Sequence, residues 1–139
     1  MTILECQAVI TGYIQAYMQS IAPQAIEWPN SILDKVNLKQ YVSVDFDYYP
    51  AIPITLTKTK MQYFTVSIKA FNALGEGFGD PLELLEGLDD ALKNAEYPCS
   101  LSYYTSSIKL IGNTISQTQT TTESSLNQTV LNVDYTVVK

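Results

Sequence analysis

The chain has 139 residues, 46% apolar and 16% charged, with eight lysines, fourteen acidic residues, no arginine and no histidine, for a net charge of −6. That balance argues against wrapping the outside of DNA or RNA, which requires several basic groups to neutralise phosphates, and it removes the commonest general base and the bidentate clamp for phosphate or carboxylate. No apolar run approaches the ~20 residues that span a bilayer, and Glu5 and Gln7 interrupt the first apolar residues, so neither a membrane span nor a secretory signal is expected.

One domain over 1–139 is the simplest reading of this length. Thr2 to Ile21 is expected to be a helix. Thr2 and Glu5 fit a capping box, and Cys6, Val9, Ile10, Tyr13, Ile14, Tyr17, Met18 and Ile21 recur every three or four residues. Pro23 ends it. The segment Ile26-Glu27-Trp28-Pro29-Asn30 holds the only tryptophan, and Pro29 holds Trp28 in an extended conformation. Trp28 and Pro29 are therefore expected to form a structural anchor at the edge of the core, with an exposed binding anchor as the alternative for Trp28. Cys6 and Cys99 are expected to be two buried thiols.

Tyr41 to Tyr48 has the alternation of a strand, with Val42, Val44, Phe46 and Tyr48 on one face and Tyr41, Ser43, Asp45 and Asp47 on the other. Pro50 and Pro53 separate it from a short Ile54–Thr57 segment. Gln62 to Ala70 is the central strand, with Phe64, Val66, Ile68 and Ala70 alternating against Gln62, Thr65, Ser67 and Lys69. Gly75, Gly77 and Gly79 permit a sharp bend, and Asp80 caps the helix that follows. Leu84, Leu85, Leu88, Ala91, Leu92 and Ala95 make its apolar stripe, with Asp89 and Asp90 on its wet side.

Pro98 ends that helix. Leu101 to Ile111 is expected to be a strand, Gly112-Asn113 a turn, and Ser116 to Gln128 either an exposed hairpin arm or a flexible loop. Leu131, Val133, Tyr135 and Val137 alternate in a closing strand. The expected fold class is α+β, a mostly antiparallel sheet covered by two helices, in the order helix–strands–helix–strands.

Residues that could carry chemistry are few. Gly75-Glu76-Gly77-Phe78-Gly79 precedes a helix, but Glu76 and Asp80 put negative charge where a phosphate would sit. Asp45 and Asp47 lie on one strand face, and paired carboxylates serve glycosidases or calcium sites. Nothing nearby completes either set, and a small-ligand enzyme built on them is a distant alternative. No serine or cysteine has a histidine partner. No cofactor, metal or catalytic residue is expected.

The order of landmarks resembles one family. A helix leads to Trp28-Pro29-Asn30, then Tyr41-Val42-Ser43-Val44, then Tyr63-Phe64-Thr65-Val66-Ser67-Ile68, a Gly-x-Gly bend into a helix, and a closing strand ending Val133-Asp134-Tyr135. This is similar to the tail terminator proteins of long-tailed bacteriophages. The resemblance implies a virion structural protein of the tail or neck, assembled in the host cytoplasm. It would form a ring, typically a hexamer, that caps the tail tube, stops its growth and offers a surface for head–tail joining. The implied partners are further copies of the chain, the tail tube protein and a head-completion or connector protein, with DNA passing through unbound. Another neck, head–tail joining or tail-completion protein is the alternative within the same biology. A ring needs two different complementary faces, for which the tyrosine-rich Leu101–Leu110 stretch with Tyr103 and Tyr104 is a candidate. An acidic lumen would keep DNA off the wall, and Asp45, Asp47 and Glu76 are candidates to line it.

Overall fold

The computed structural model describes residues 3–21, 26–29, 40–53, 60–73, 79–95, 107–119 and 126–138. Among these residues two helices and six strands follow the order α1 (Ile3–Ile21), β1 (Ile26–Glu27), β2 (Gln40–Tyr48), β3 (Ile52–Pro53), β4 (Lys60–Ala73), α2 (Gly79–Asn94), β5 (Ser107–Gln119) and β6 (Leu126–Val138). The order helix–strands–helix–strands holds, with four of the described strands before α2 and two after it. Thr2, the first half of the expected capping box, and the expected bend at Gly75 and Gly77 lie outside the described residues, as do Ile54–Thr57 and Cys99.

The strands form one sheet in the order β1-β2-β4-β6-β5, with β3 pairing the start of β4. The sheet is mixed. The β2–β4, β3–β4, β4–β6 and β5–β6 pairings are antiparallel, whereas β1 runs parallel to β2, placing Ile26 opposite Val42. β4 is the longest strand and sits at the centre, with Phe64, Val66, Ile68 and Ala70 apolar at every second position and the polar Gln62 and Asn72 buried at either end of that run.

That buried face is built in rows across the sheet. Tyr48, Phe64 and Tyr135 stand opposite one another on β2, β4 and β6, and their rings pack at centroid separations of 5.6 Å and 5.2 Å. Phe46, Val66 and Val133 make the next row, and Val44, Ile68 and Leu131 the one after. Both helices lie on this side. Cys6, Ile10, Ile14 and Met18 of α1 and Leu85, Leu88 and Leu92 of α2 join the sheet residues in one apolar core. Each stripe repeats every three or four residues, as helical periodicity requires. The helices approach closely at Gly87, where an added Cβ would collide with the Tyr17 hydroxyl.

Three local expectations need correction. Gly112-Asn113 is no turn: both residues lie inside β5, which carries a bulge between Leu110 and Gly112. One extra residue, Ile111, shifts the alternation, so that Ile108 and Leu110 face the core before the bulge and Asn113 and Ile115 after it. Asp89 is not on the wet side of α2. It is only 6% exposed, accepts a 2.8 Å hydrogen bond from Asn113 Nδ2 and pairs with Lys93 at 3.0 Å. Asn113 and Lys93 together compensate the buried charge at Oδ2, while Oδ1 is buried with no hydrogen-bond partner among the described residues. Gln62 belongs to the buried face, where its Nε2 donates to the Tyr49 carbonyl at 2.8 Å. Of the Ser116–Gln128 stretch, Ser116–Gln119 and Leu126–Gln128 are the paired arms of the β5–β6 hairpin, and 120–125 lie outside the described residues.

Candidate functional site: an apolar groove on the open sheet face

The second face of the sheet carries no helix among the described residues. Its middle is polar. Asp47, Thr65 and Asp134 form one row, and Asp45, Ser67 and Asn132 the next. The Thr65 hydroxyl donates to Asp134 Oδ1 at 2.7 Å, and the Ser67 hydroxyl donates to Asn132 Oδ1 at 2.6 Å. These cross-strand bonds hold the side chains flat against the sheet and fix the direction of the Asp134 carboxylate. Further along, Tyr41 stacks on Phe71 at 4.6 Å and closes the opposite end of this face.

At the β3 end the surface changes character and hollows into a groove of about 540 Å³, lined by Tyr49, Pro50, Ile52, Tyr63, Thr65, Ile111 and Asp134 over the backs of Phe64 and Tyr135. Two irregularities create it. Between Tyr48 and Ile52 the β2–β3 side holds one more residue than the facing stretch of β4, so the chain bulges at Tyr49-Pro50-Ala51. Pro50 has no N–H to give to a ladder. The bulge is instead held by the Tyr49 N–H bonding to the Tyr63 carbonyl at 3.0 Å and by the Gln62 amide behind it. On the far side, the β5 bulge turns Ile111 out of the core.

The result is a cluster of apolar side chains in water. Tyr49 is 54% exposed, and Ile52 and Ile111 are each 49% exposed, and all three line the groove. A single exposed aliphatic residue is ordinary, whereas several around one concavity mark a contact site. Behind the groove, on the helix-covered side of the sheet, lies the Tyr48–Phe64–Tyr135 row. The Tyr48 hydroxyl donates to Gln7 Oε1 at 3.0 Å, and burial together with nearby Cys6 pushes its pKa up to about 12. The Tyr17 hydroxyl is raised as well, first by burial and then by the carboxylates of Asp90 and Glu83.

Asp45 and Asp47 are exposed on the open face, and neither lines the groove. Asp134 is the one carboxylate that does; its strand position in the closing alternation carried no hint of this. Trp28 follows edge strand β1, is half-buried and packs against the core, with Pro29 next to it in a turn. Gly79 opens α2, and Asp80 follows it in the first turn. Gly75, Gly77, Glu76, Tyr103 and Tyr104 lie outside the described residues. Among the described residues no group of three or more cysteines and carboxylates is placed to hold a metal ion, and no helix is long and apolar enough to cross a membrane.

No family model matches the chain, and no curated protein matches it. Solved structures do share its fold. One superposes with a TM-score of 0.64 at 15% identity, covering 99% of this chain and 96% of its own length. Another is a chain of the virion of a native gene transfer agent particle, with a TM-score of 0.64 at 14% identity, covering 96% and 94%. At these identities the likeness is one of fold, and it runs through nearly the whole of each chain.

Proposed function

We propose that this protein is a virion structural subunit of a long-tailed phage. In this reading it is a tail terminator, whose copies form a ring, hexameric by the family resemblance, at the end of the tail tube. The observation that carries this reading is the end-to-end fold shared with a chain of a gene transfer agent virion. The exposed apolar groove supports it, because a subunit that works by assembly needs apolar surface left over after its own core is complete. The ring would stop tube growth and present its other side to a head-completion or connector protein. It would act through contacts, with no catalytic step.

The passage through the ring would be acidic. Asp45 and Asp47 stand exposed on the open face, and lining by such groups would repel the DNA backbone and keep the duplex from sticking. Glu76 is the third candidate. Another neck, head–tail joining or tail-completion protein remains the second reading, since the gene transfer agent structure is described only as a virion. An enzyme using Asp45 and Asp47 has less support, because the groove leaves both carboxylates outside it.

The test combines light scattering with negative-stain imaging, alone and with polymerised tube protein. A ring that binds one end of the tube and halts its elongation is the expected result. Tubes that grow on unchanged would remove the terminator reading. Binding to a connector in that case would favour the second one.

A further inference from the structure

Of the large apolar side chains that the described surface leaves exposed, three line the groove and the fourth stands elsewhere. That fourth is Leu4, 75% exposed in the first turn of α1. Cys6 of the same turn is buried in the core. At 3.6 residues per turn Leu4 projects about 160° away from it, straight out from the helix layer. The groove opens on the opposite face of the sheet. A molecule cannot fill its own groove with its own Leu4, but a second copy can.

We propose that the groove receives the first turn of α1 from a second copy of the chain, with Leu4 as the anchor; this rests on the ring reading above. The fit is chemical as well as geometric. Tyr49, Ile52 and Ile111 offer aliphatic and aromatic walls to a leucine. Asp134 supplies negative charge, and no residue lining the groove is cationic. The first turn of a helix exposes N–H groups that have no intrahelical acceptor and carries partial positive charge, which suits a carboxylate. Glu5 stands about 100° round the helix from Leu4 and stays on the flank of the contact. The cavity is larger than one aliphatic side chain, so the turn itself can enter behind Leu4. The two patches differ and lie on opposite sides of the molecule, so the contact is heterologous. Repeated head to tail, it closes into a ring when the rotation per subunit permits.

Directional cross-linking tests this. Leu4→Cys and Ile111→Cys are prepared separately, each with Cys99→Ser, and oxidised with diamide alone and as a mixture. A docked pair holds its thiols at an effective concentration in the millimolar range, so the mixture should give disulfide dimer about tenfold faster or more than either variant alone. Equal rates would overturn the contact. In parallel, Leu4→Asp should weaken self-assembly by about tenfold or more, the order expected for removing one buried aliphatic anchor. An acidic residue in a first helical turn favours the fold itself, so the variant stays folded. A ring that survives Leu4→Asp unchanged overturns the contact and leaves the ring reading standing. A wild-type protein that stays monomeric at high concentration overturns the contact and also counts against self-assembly in isolation.

Discussion

Tyr63 and Phe64 are neighbours in sequence and stand on opposite faces of the same strand. Phe64 is sealed between Tyr48 and Tyr135 beneath two helices, whereas Tyr63 is partly in water at the wall of the groove. The two faces of this sheet carry different duties. One holds the subunit together through rows of packed rings and branched aliphatics. The other is kept flat by hydroxyl–carboxylate and hydroxyl–amide pairs and leaves its apolar groups at one end unsatisfied. In the reading proposed here, stability and partner contact are separated by the thickness of one strand, and substitutions on the two faces should separate in the same way.

The largest effect is expected at Phe64. Phe64→Ala removes a fully buried ring from the centre of an aromatic row and should cost about 3–5 kcal/mol in urea melts. A loss below about 1 kcal/mol would mean that the row is not the core of the helix-covered face.

Gly87 tests how tightly that face is closed. Alanine favours a helix interior over glycine by ~1 kcal/mol, yet here its Cβ runs into the Tyr17 hydroxyl, which sits 3.4 Å from the Leu84 carbonyl. Gly87→Ala should therefore destabilise the wild type by about 1–2 kcal/mol, the range of mild overpacking. In a Tyr17→Phe background, with the hydroxyl gone, the same change should recover part of that loss, since the ring Cζ still lies 3.1 Å from the added Cβ. A double-mutant cycle showing no coupling would remove the close approach of α1 and α2.

Much of the helix-covered face was legible in the sequence because its signals are periodic. Thr65 to Lys69 alternates cleanly, as does Leu131 to Val137, and Ile10, Ile14 and Met18 or Leu85, Leu88 and Leu92 repeat at helical spacing. The groove was not legible, for the opposite reason. It is made where periodicity fails: at Tyr49-Pro50-Ala51 and at the Ile111 bulge, which look like strand breaks when each segment is read alone. Gly112-Asn113 has the composition of a turn, and only pairing with Val133 and Asp134 keeps it in a strand. One signal was present. Ile111 is an apolar residue directly after Leu110, out of step with the alternation, and such a residue is either misplaced or wanted at a surface. β1 is two residues long and offers no period to detect, so its parallel pairing had no trace in the sequence. Asp89 misled because its partner Asn113 lies on another element.

Alkaline pH separates the faces through Tyr48, the rim of the buried aromatic row. Its pKa is raised from 10.0 to about 12, by burial first and then by Cys6. The folded state thus holds the neutral phenol where the unfolded chain has begun to ionise. The contribution is fully present below about pH 10, and it is lost as the pH rises towards about 12. Tyr48→Phe cannot titrate there, so the stability gap between wild type and this variant should move against the wild type across that window. Parallel pH profiles for the two proteins would place Tyr48 in a solvated position instead.

The smallest effect is expected at Ile111. Threonine keeps the β-branch that suits a strand and removes apolar surface. Ile111 is half in water at the bulge, so the subunit gives up little packing when it is replaced. Ile111→Thr should therefore change monomer stability by less than about 0.5 kcal/mol, the usual range for surface positions. The measurement is a urea melt at a protein concentration low enough to keep copies apart, since assembly would add its own stabilisation. A loss of about 2 kcal/mol or more would show that the groove is closed by the chain itself and belongs to the core. The distinction between a stabilising face and a contact face would then fail at its most exposed point. A near-zero change in the monomer, beside a clear loss of assembly in the same variant, would sharpen it: an isoleucine that contributes nothing to its own fold is there for a surface that is not its own.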